Sequence, residues 1–97
     1  MNTKRKGAKA EHRCMKILTD AGYSCSRAAA SLGIFDVVAI GAGDIRLVQV
    51  KSGGAYCSAI EREQIARFIA PWNCSREIWR FPDRCKEPLI ERVPYAA

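Results

Sequence analysis

Hydrophobic and polar residues follow two different periods along this chain, and the change of period marks its elements. Residues 5–21 repeat apolar positions at helical spacing up to Gly22, which predicts an amphipathic helix that ends there. Its apolar stripe consists of Ala10, Cys14, Ile17, Leu18 and Ala21. Residues 23–28 alternate weakly between the two classes, which predicts a short strand.

Two runs rich in β-branched residues, 35–41 and 45–51, follow in the middle of the chain. The Gly-Ala-Gly-Asp segment between them predicts a hairpin turn. Farther on, Ser58-Ala-Ile-Glu61 has the pattern of a capping box, which predicts a second helix that Pro71 ends.

The last third of the chain has weaker patterns. Residues 77–81 predict a further strand, and the prolines that follow predict an irregular tail over 82–97 with at most one edge strand. The predicted order, α-β-β-β-α-β, is typical of an α/β fold with a mixed central sheet and a helix on each face. We expect one domain over 1–97, with its core in 4–81.

The hairpin turn determines which residues of its two strands lie opposite each other. If Ala42 and Gly43 form a two-residue loop, the numbers of opposed residues sum to 85, because 40 then pairs with 45. The pairs on one face are Ile40 with Ile45, Val38 with Leu47, Asp36 with Gln49, and Ile34 with Lys51. That face is apolar near the turn and polar at its far end, where opposed Cβ atoms about 5 Å apart would let two oxygens share a metal ion.

Glu11 is a second polar residue in an apolar setting. On a helix it lies beside Leu18, at the edge of the apolar stripe. A carboxylate directed at a core requires a partner, and one site shared by Glu11 and the polar end of the hairpin would supply it. The alternative is structural: Glu11 reaches solvent, and Asp36 forms an ion pair with Lys51.

Composition and charge limit the classes of function. The chain has 97 residues, 48% of them apolar and 27% charged, which fits one soluble globular domain. Neither a membrane-spanning run nor a secretory signal is present, so we expect a cytoplasmic protein without membrane contact. The five cysteines form no Cys-x-x-Cys pair, so we expect reduced, mostly buried thiols and no zinc site.

Positive charge is concentrated at the start of the chain. The net charge is +6, and residues 1–16 contribute +5 of it, from six bases and one acid. This concentration favours a polyanionic partner, either nucleic acid or an anionic membrane surface, although a solvated helix face would have the same composition. The six bases are Lys4, Arg5, Lys6, Lys9, Arg13 and Lys16.

Several short segments, in order along 4–81, resemble the archaeal-type Holliday junction resolvases, a branch of the PD-(D/E)XK nuclease superfamily. They are Arg5-Lys-Gly-Ala-Lys-Ala-Glu11, Arg27-Ala-Ala-Ala-Ser31, Asp36-Val-Val-Ala39, Val48-Gln-Val-Lys51, Phe68 to Trp72, and Ile78-Trp-Arg-Phe81. The resemblance implies a restriction-endonuclease-like core, a homodimer, and hydrolysis of phosphodiester bonds in branched DNA such as Holliday junctions.

The resemblance also implies roles for individual residues. The metal ligands would be Glu11, Asp36, Gln49 and the backbone carbonyl of Val50, with Mg²⁺ as the ion and Mn²⁺ as a substitute. Lys51 would lie beside the attacking water, and Ser31 would reach the scissile phosphate from a mobile loop. The DNA contacts would be Lys4, Arg5, Lys6, Lys9, Arg13 and Arg27.

Two positions depart from the family pattern. Gln49 stands where the family has an acid, so the site keeps an oxygen ligand but loses one negative charge. His12 stands where the family has an arginine, and its place on the polar side of the helix predicts a surface position. Three functions therefore remain open: a structure-selective nuclease, a DNA-binding module of the same fold that no longer cuts, and an unrelated interaction domain with a basic helix.

Overall fold

The computed structural model describes residues 3–28 and 33–96, with side chains from residue 7 onward, and places a five-stranded sheet between two helices. The elements are α1 (Thr3–Asp20), β1 (Ser24–Arg27), β2 (Val37–Ile40), β3 (Ile45–Ser52), α2 (Ala59–Arg67), β4 (Cys74–Phe81) and β5 (Leu89–Arg92). This order confirms the predicted α/β fold, and β5 is the edge strand expected in the tail.

The strands lie in chain order across the sheet, with β3 at its centre. Strands β1, β2 and β3 form an antiparallel meander. Strand β4 pairs with β3 in parallel from Ile45–Cys74 to Ser52–Phe81, since α2 connects the two strands. Strand β5 then pairs antiparallel with β4. Polar residues at the carboxyl end of β3 therefore lie beside the end of β4.

The predicted hairpin register is confirmed next to the turn, where Ile40 pairs with Ile45 and Val38 with Leu47. A close approach explains the glycine that opens this turn: a Cβ at Gly41 would lie 2.8 Å from the Tyr23 ring. The Tyr23 hydroxyl donates to the two carboxylate oxygens of Asp44 at 3.0 and 2.8 Å, which ties the turn to the chain before β1.

The register predicted for the far end of the hairpin is wrong. The ladder ends at Val37 opposite Val48, and the Asp36 N–H donates to the Val48 carbonyl at 2.8 Å. Asp36 and Val37 therefore both face Val48, as in a β-bulge. The bulge turns Phe35 toward α2, where its buried ring packs edge-on against Phe68 with centroids 5.0 Å apart. Burial of Phe35 thus accounts for the lost pairing.

The two helices cover opposite faces of the sheet. On the α1 face the buried residues are Ala10, Cys14, Leu18, Val37, Ala39, Val48, Trp79 and Phe81. On the α2 face they are Phe35, Leu47, Ile65 and Ile78. Burial raises the pKa of the Cys14 thiol to about 12. All five cysteines are free as expected, but the prediction that most are buried is wrong, because only Cys14 is.

Helix α2 begins as predicted and ends earlier. The Ser58 hydroxyl accepts from the Glu61 N–H, and the Glu61 carboxylate accepts from the Ser58 N–H, so the capping box is confirmed. The helix ends at Arg67, because Phe68 is extended and packs against the sheet, so Pro71 is not its terminator. Among the residues described, no helix is long and apolar enough to cross a membrane.

Candidate active site

The β-bulge places the carboxylate of Asp36 over the end of β3. Its Oδ2 atom accepts the Val50 N–H at 2.8 Å, which fixes the side chain against the strand. No described residue donates a hydrogen bond to the other oxygen, Oδ1. Asp36 therefore keeps one carboxylate oxygen for a further partner, although the ladder pairing that predicted its position is not formed.

Gln49 is buried beside Asp36, with 7% of its surface exposed. Its amide group faces two acceptors, the Ile34 carbonyl and Asp36 Oδ2, so the NH₂ end is assigned to that side. In this orientation it donates to the Ile34 carbonyl and, at 3.2 Å, to Asp36 Oδ2. The predicted proximity of Asp36 and Gln49 is thus present, and rotation of the amide by 180° would exchange its donor for an oxygen ligand.

Several interactions shift the pKa of Asp36, and they act in opposite directions. Burial raises the pKa of Asp36 above its usual range, the Val50 hydrogen bond lowers it, and the negative charge of Glu11 raises it again. The positive charges of Lys51 and Arg27 partly offset this increase in pKa. A carboxylate that is destabilised by burial and by a second carboxylate favours the binding of a cation.

Glu11 reaches the site from α1 and is bound to a base. Its carboxylate accepts from Arg27 Nε at 2.8 Å, and 18% of the Glu11 side chain is exposed. Arg27, which is also predicted to contact DNA, is the ion-pair partner of a predicted metal ligand. The pair joins α1 to β1 at the edge of the site. His12 is exposed, as its place on the helix predicts.

Lys51 forms an ion pair with Glu61, a residue for which the sequence predicts only a role in capping α2. Its ammonium group donates to Glu61 Oε2 at 2.9 Å, while the other Glu61 oxygen caps α2. Hydrogen bonds from the Ser58 backbone and from Lys51 lower the pKa of Glu61, so this carboxylate stays charged. The signal that could have revealed it is the capping box itself, since its glutamate points back toward the chain that leaves β3.

The predicted DNA-binding bases differ in how they are engaged. The Lys9 side chain is exposed on α1. Arg13 instead donates to the carbonyls of Cys85 and Lys86, at 3.3 and 2.8 Å, and its guanidinium lies 4.8 Å from the centroid of the Phe81 ring. These contacts hold the chain after β4 against α1. Arg13 would have to break both hydrogen bonds in order to contact DNA. Ser31 and the side chains of Lys4, Arg5 and Lys6 lie outside the described part of the chain.

A second buried carboxylate, Glu77, was not identified from the sequence. Its side chain on β4 is fully buried on the α1 face. Arg46 donates to both carboxylate oxygens at 2.8 and 2.7 Å, Ser75 donates at 2.5 Å, and Trp79 Nε1 at 2.8 Å. These bonds outweigh burial and lower the pKa of Glu77. A carboxylate satisfied in this way is part of the core.

The side chains near Asp36 are chemically suited to a hard cation but carry little charge. In the described ranges, no group of three or more His, Cys, Asp and Glu residues could hold a metal ion. The groups predicted to hold the ion are the carboxylates of Glu11 and Asp36, the Gln49 amide and the Val50 carbonyl. All are oxygen donors of the kind that Mg²⁺ prefers. The set fits such an ion in donor type, with two formal negative charges.

Three aromatic residues, Phe68, Trp72 and Trp79, exceed what so small a core readily buries, and the sequence therefore predicts them at a dimer interface. The three differ in exposure. Trp79 is 1% exposed and belongs to the core, so its predicted place in an interface is wrong. Phe68 is half-buried against Phe35. Trp72 is 95% exposed and borders a cavity of about 410 Å³ with Ile69 and Tyr95. This apolar surface lies at the start of β4, at the opposite end of the sheet from Asp36.

Comparison with known proteins identifies a family that the sequence matches and a solved structure with a similar fold. The model of the archaeal Holliday junction resolvase family, Hjc, matches residues 2–75. Among solved structures, Hjc from Archaeoglobus fulgidus, described as a Holliday junction resolvase from an archaeal hyperthermophile, is similar with a TM-score of 0.71. The two chains are 24% identical, and the match covers 92% of this chain and 72% of that one. No curated protein sequence matches the chain.

Proposed function

The chain belongs to the archaeal Holliday junction resolvase family, and within that family of nucleases we propose that it is an active, divalent-metal-dependent endonuclease of branched DNA. The observation that carries the proposal is the contact between Asp36 and Gln49 at the end of β3, next to Glu11 and Lys51. These are the positions at which the resemblance in sequence implies a nuclease site. A structural ion pair between Asp36 and Lys51 is not what holds them, because Lys51 donates to Glu61.

We propose Mg²⁺ as the cofactor, with Mn²⁺ as a substitute. Glu11, Asp36, Gln49 and the Val50 carbonyl would hold it, Gln49 after its amide has turned to present its oxygen. When bound, such an ion lowers the pKa of a coordinated water and offsets negative charge on a phosphate. Asp36 supplies an oxygen that no described donor occupies. The Val50 N–H keeps that carboxylate oriented.

Lys51 would act on the phosphate rather than on the metal. Its ammonium group is compact and can rotate three donors toward a developing oxyanion. The hydrogen bond to Glu61 at 2.9 Å holds the amine over the end of β3, so the residue is oriented before DNA arrives. Ser31 keeps its proposed role at the scissile phosphate.

The loss of one acid supports a second candidate, a DNA-binding module that no longer cuts. In the described structure the Gln49 amide donates to Asp36 and so partly replaces the cation that a third acid would require. The basic face of α1 would still bind DNA through phosphate contacts, because those contacts do not depend on the metal.

We further propose a homodimer, because a four-way junction presents two strands related by two-fold symmetry. The exposed surface formed by Ile69, Trp72 and Tyr95 is suited to such an interface, since aromatic residues are enriched at interface centres. Sedimentation of the protein at micromolar concentration, alone and with junction DNA, tests the dimer. A monomer in both samples contradicts it.

A cleavage assay on a set of DNAs tests the function. Wild-type protein is mixed with a labelled four-way junction, a flap, a replication fork and a linear duplex, each with Mg²⁺, Mn²⁺ or EDTA. Cutting of branched DNA with either metal but not with EDTA supports the nuclease. Salt-sensitive binding without cutting supports the binding module, and an absence of both cutting and binding contradicts both proposals.

A further inference from the structure

Arg80 lies next to the candidate site and has an unusual environment. In the parallel ladder it is the partner of Lys51, and paired residues of neighbouring strands point to the same face. Arg80 therefore shares the α2 face with the proposed catalytic lysine. Its Nε atom is, among the described residues, the one buried side-chain polar atom with no hydrogen-bond partner. Such an atom in a folded protein requires an explanation.

An aromatic ring, rather than an anion, orients this arginine. The Arg80 guanidinium lies 3.9 Å from the ring centroid of Tyr56, which belongs to the connection between β3 and α2. A cation stacked on a ring is held in place while its charge is not cancelled and its N–H groups at the edge remain free. The stacking therefore fixes the position of the guanidinium without using its hydrogen-bonding capacity.

Neighbouring cations on the α2 face are engaged differently. The Lys51 ammonium group donates to Glu61, and Arg76 donates twice to the Phe68 carbonyl at 2.8 and 2.6 Å. The Arg62 guanidinium donates to both oxygens of Glu91 at 2.6 and 2.7 Å. Glu91, the acid whose pKa Arg80 lowers, is thus already occupied by another arginine.

We propose that Arg80 is a DNA-binding residue of this nuclease, which binds a backbone phosphate of the strand that enters the site beside Lys51. A guanidinium matches two phosphate oxygens with parallel N–H groups. The phosphate would accept from the terminal N–H groups of the guanidinium, and its charge would add to that of Glu91, which Arg62 already occupies. The inference rests on the proposed function, because only a DNA substrate brings phosphates to the end of β3.

Binding of a four-way junction in EDTA, measured at several salt concentrations, tests the charge. Arg80→Gln is expected to lower the slope of log K against log salt by about one unit per subunit. The matched control is Arg67→Gln, which removes an exposed arginine that is paired with Glu63 on the same helix. Its slope is expected to stay as in the wild type. Equal slopes for Arg80→Gln and wild type would overturn the inference.

A second measurement requires no substitution. The ¹H–¹⁵N resonance of the Arg80 side-chain N–H in wild-type protein is followed while the junction is added in EDTA. The inference predicts a shift of that resonance in step with binding, and an unchanged resonance at saturation contradicts it. Tyr56→Phe keeps the ring and should preserve the shift, whereas Tyr56→Ala should weaken it.

These outcomes are separate from those that test the proposed function. If the wild-type protein neither binds nor cuts the junction, both the proposed function and the inference about Arg80 are contradicted. If wild type binds and cuts while Arg80→Gln has the wild-type slope, the function stands and the inference alone is overturned.

Discussion

The central sheet holds two carboxylates in protected settings, one in the core and one at the end of β3, and the two differ in their partners. On the α1 face, Glu77 receives hydrogen bonds from Arg46, Ser75 and Trp79, and its pKa falls although burial alone would raise it. Its negative charge is fully compensated inside the protein. Glu77 therefore belongs to the framework that holds β3 and β4 in place.

Asp36, at the end of β3, has fewer partners. Its described hydrogen bonds come from the Val50 N–H and the Gln49 amide, and the negative charge of Glu11 adds to the burial that raises its pKa. The comparison shows that burial alone does not identify a functional acid. What distinguishes Asp36 is a shortage of donors, which a cation can relieve.

The largest expected effect is on stability, at Glu77. Glu77→Ala leaves Arg46 without its partner in the interior, and loss of one member of a buried pair costs about 3–5 kcal/mol. Urea unfolding monitored by circular dichroism measures the loss. Glu91→Ala, which breaks the exposed pair with Arg62, is the matched control and should cost less than about 1 kcal/mol.

The acid dependence of stability gives a second readout for Glu77. Because its pKa is lowered by folding, its contribution is complete above the unfolded value of 4.5 and is lost as the pH falls through the lower folded value. The stability of Glu77→Ala should therefore fall less steeply with acid than that of wild type. Parallel curves would contradict the role given to this carboxylate.

Substitution of Asp36 is expected to increase stability, unlike that of Glu77, and to reduce activity. Asp36→Asn removes a charged ligand, and a metal's contribution of several kcal/mol corresponds to roughly 100- to 1000-fold in cleavage rate. Asn can still accept the Val50 N–H, and it removes a carboxylate whose pKa burial raises, so the neutral-pH unfolding free energy in EDTA should increase. Junction binding in EDTA should persist. Normal cleavage by this variant would remove Asp36 from the site.

Gln49→Glu restores an acid beside Asp36, at the position where the family has one. The additional charge should lower the Mg²⁺ concentration needed for half-maximal cleavage by about 10-fold. Without metal, the new carboxylate would lie next to Asp36 Oδ2 and lose the donor that Gln49 provides, so stability in EDTA should fall. Gln49→Ala, which removes the oxygen, is the control and should require more Mg²⁺ than wild type.

The smallest effect is expected at Arg27, whose side chain is 51% exposed. Arg27→Gln breaks the ion pair with Glu11 and should cost less than about 1 kcal/mol, because water solvates both charges. Thermal unfolding measures it directly. A loss as large as that of Glu77→Ala would mean that the ion pair is a structural element and that Glu11 is held for the fold rather than for a cation.

Patterns formed by residues close in sequence, such as helical periodicity and turn signals, predicted most of the fold. The spacing of Ala10, Cys14 and Leu18 correctly identified the buried face of α1, since a helix repeats its contacts every three to four residues. The turn at Ala42 and Gly43 determined the register of the hairpin. Both features depend on residues that are close in sequence.

The parts that sequence reasoning missed depend on contacts between distant elements. The bulge at Asp36 exists because Phe35 packs against Phe68, which lies beyond α2. The second role of Glu61 requires the end of β3 to pass the start of α2. Neither contact leaves a periodic signal in its own segment. Asp36 and Gln49 therefore lie in contact, but through a bulge that the predicted strand pairing did not contain.

The central position of β3 has a consequence for the order in which the protein is made. Glu11, Asp36, Gln49 and Lys51 all precede Gly53, whereas the neighbour that covers the other edge of β3 begins only at Cys74. A nascent chain that has emerged as far as Ser52 already contains every proposed ligand, but the eight-residue strand β3 still has one unpaired edge. Synthesis of β4 both protects that edge from aggregation and adds Arg80 beside Lys51. The proposed site is therefore completed only after β4 has been made.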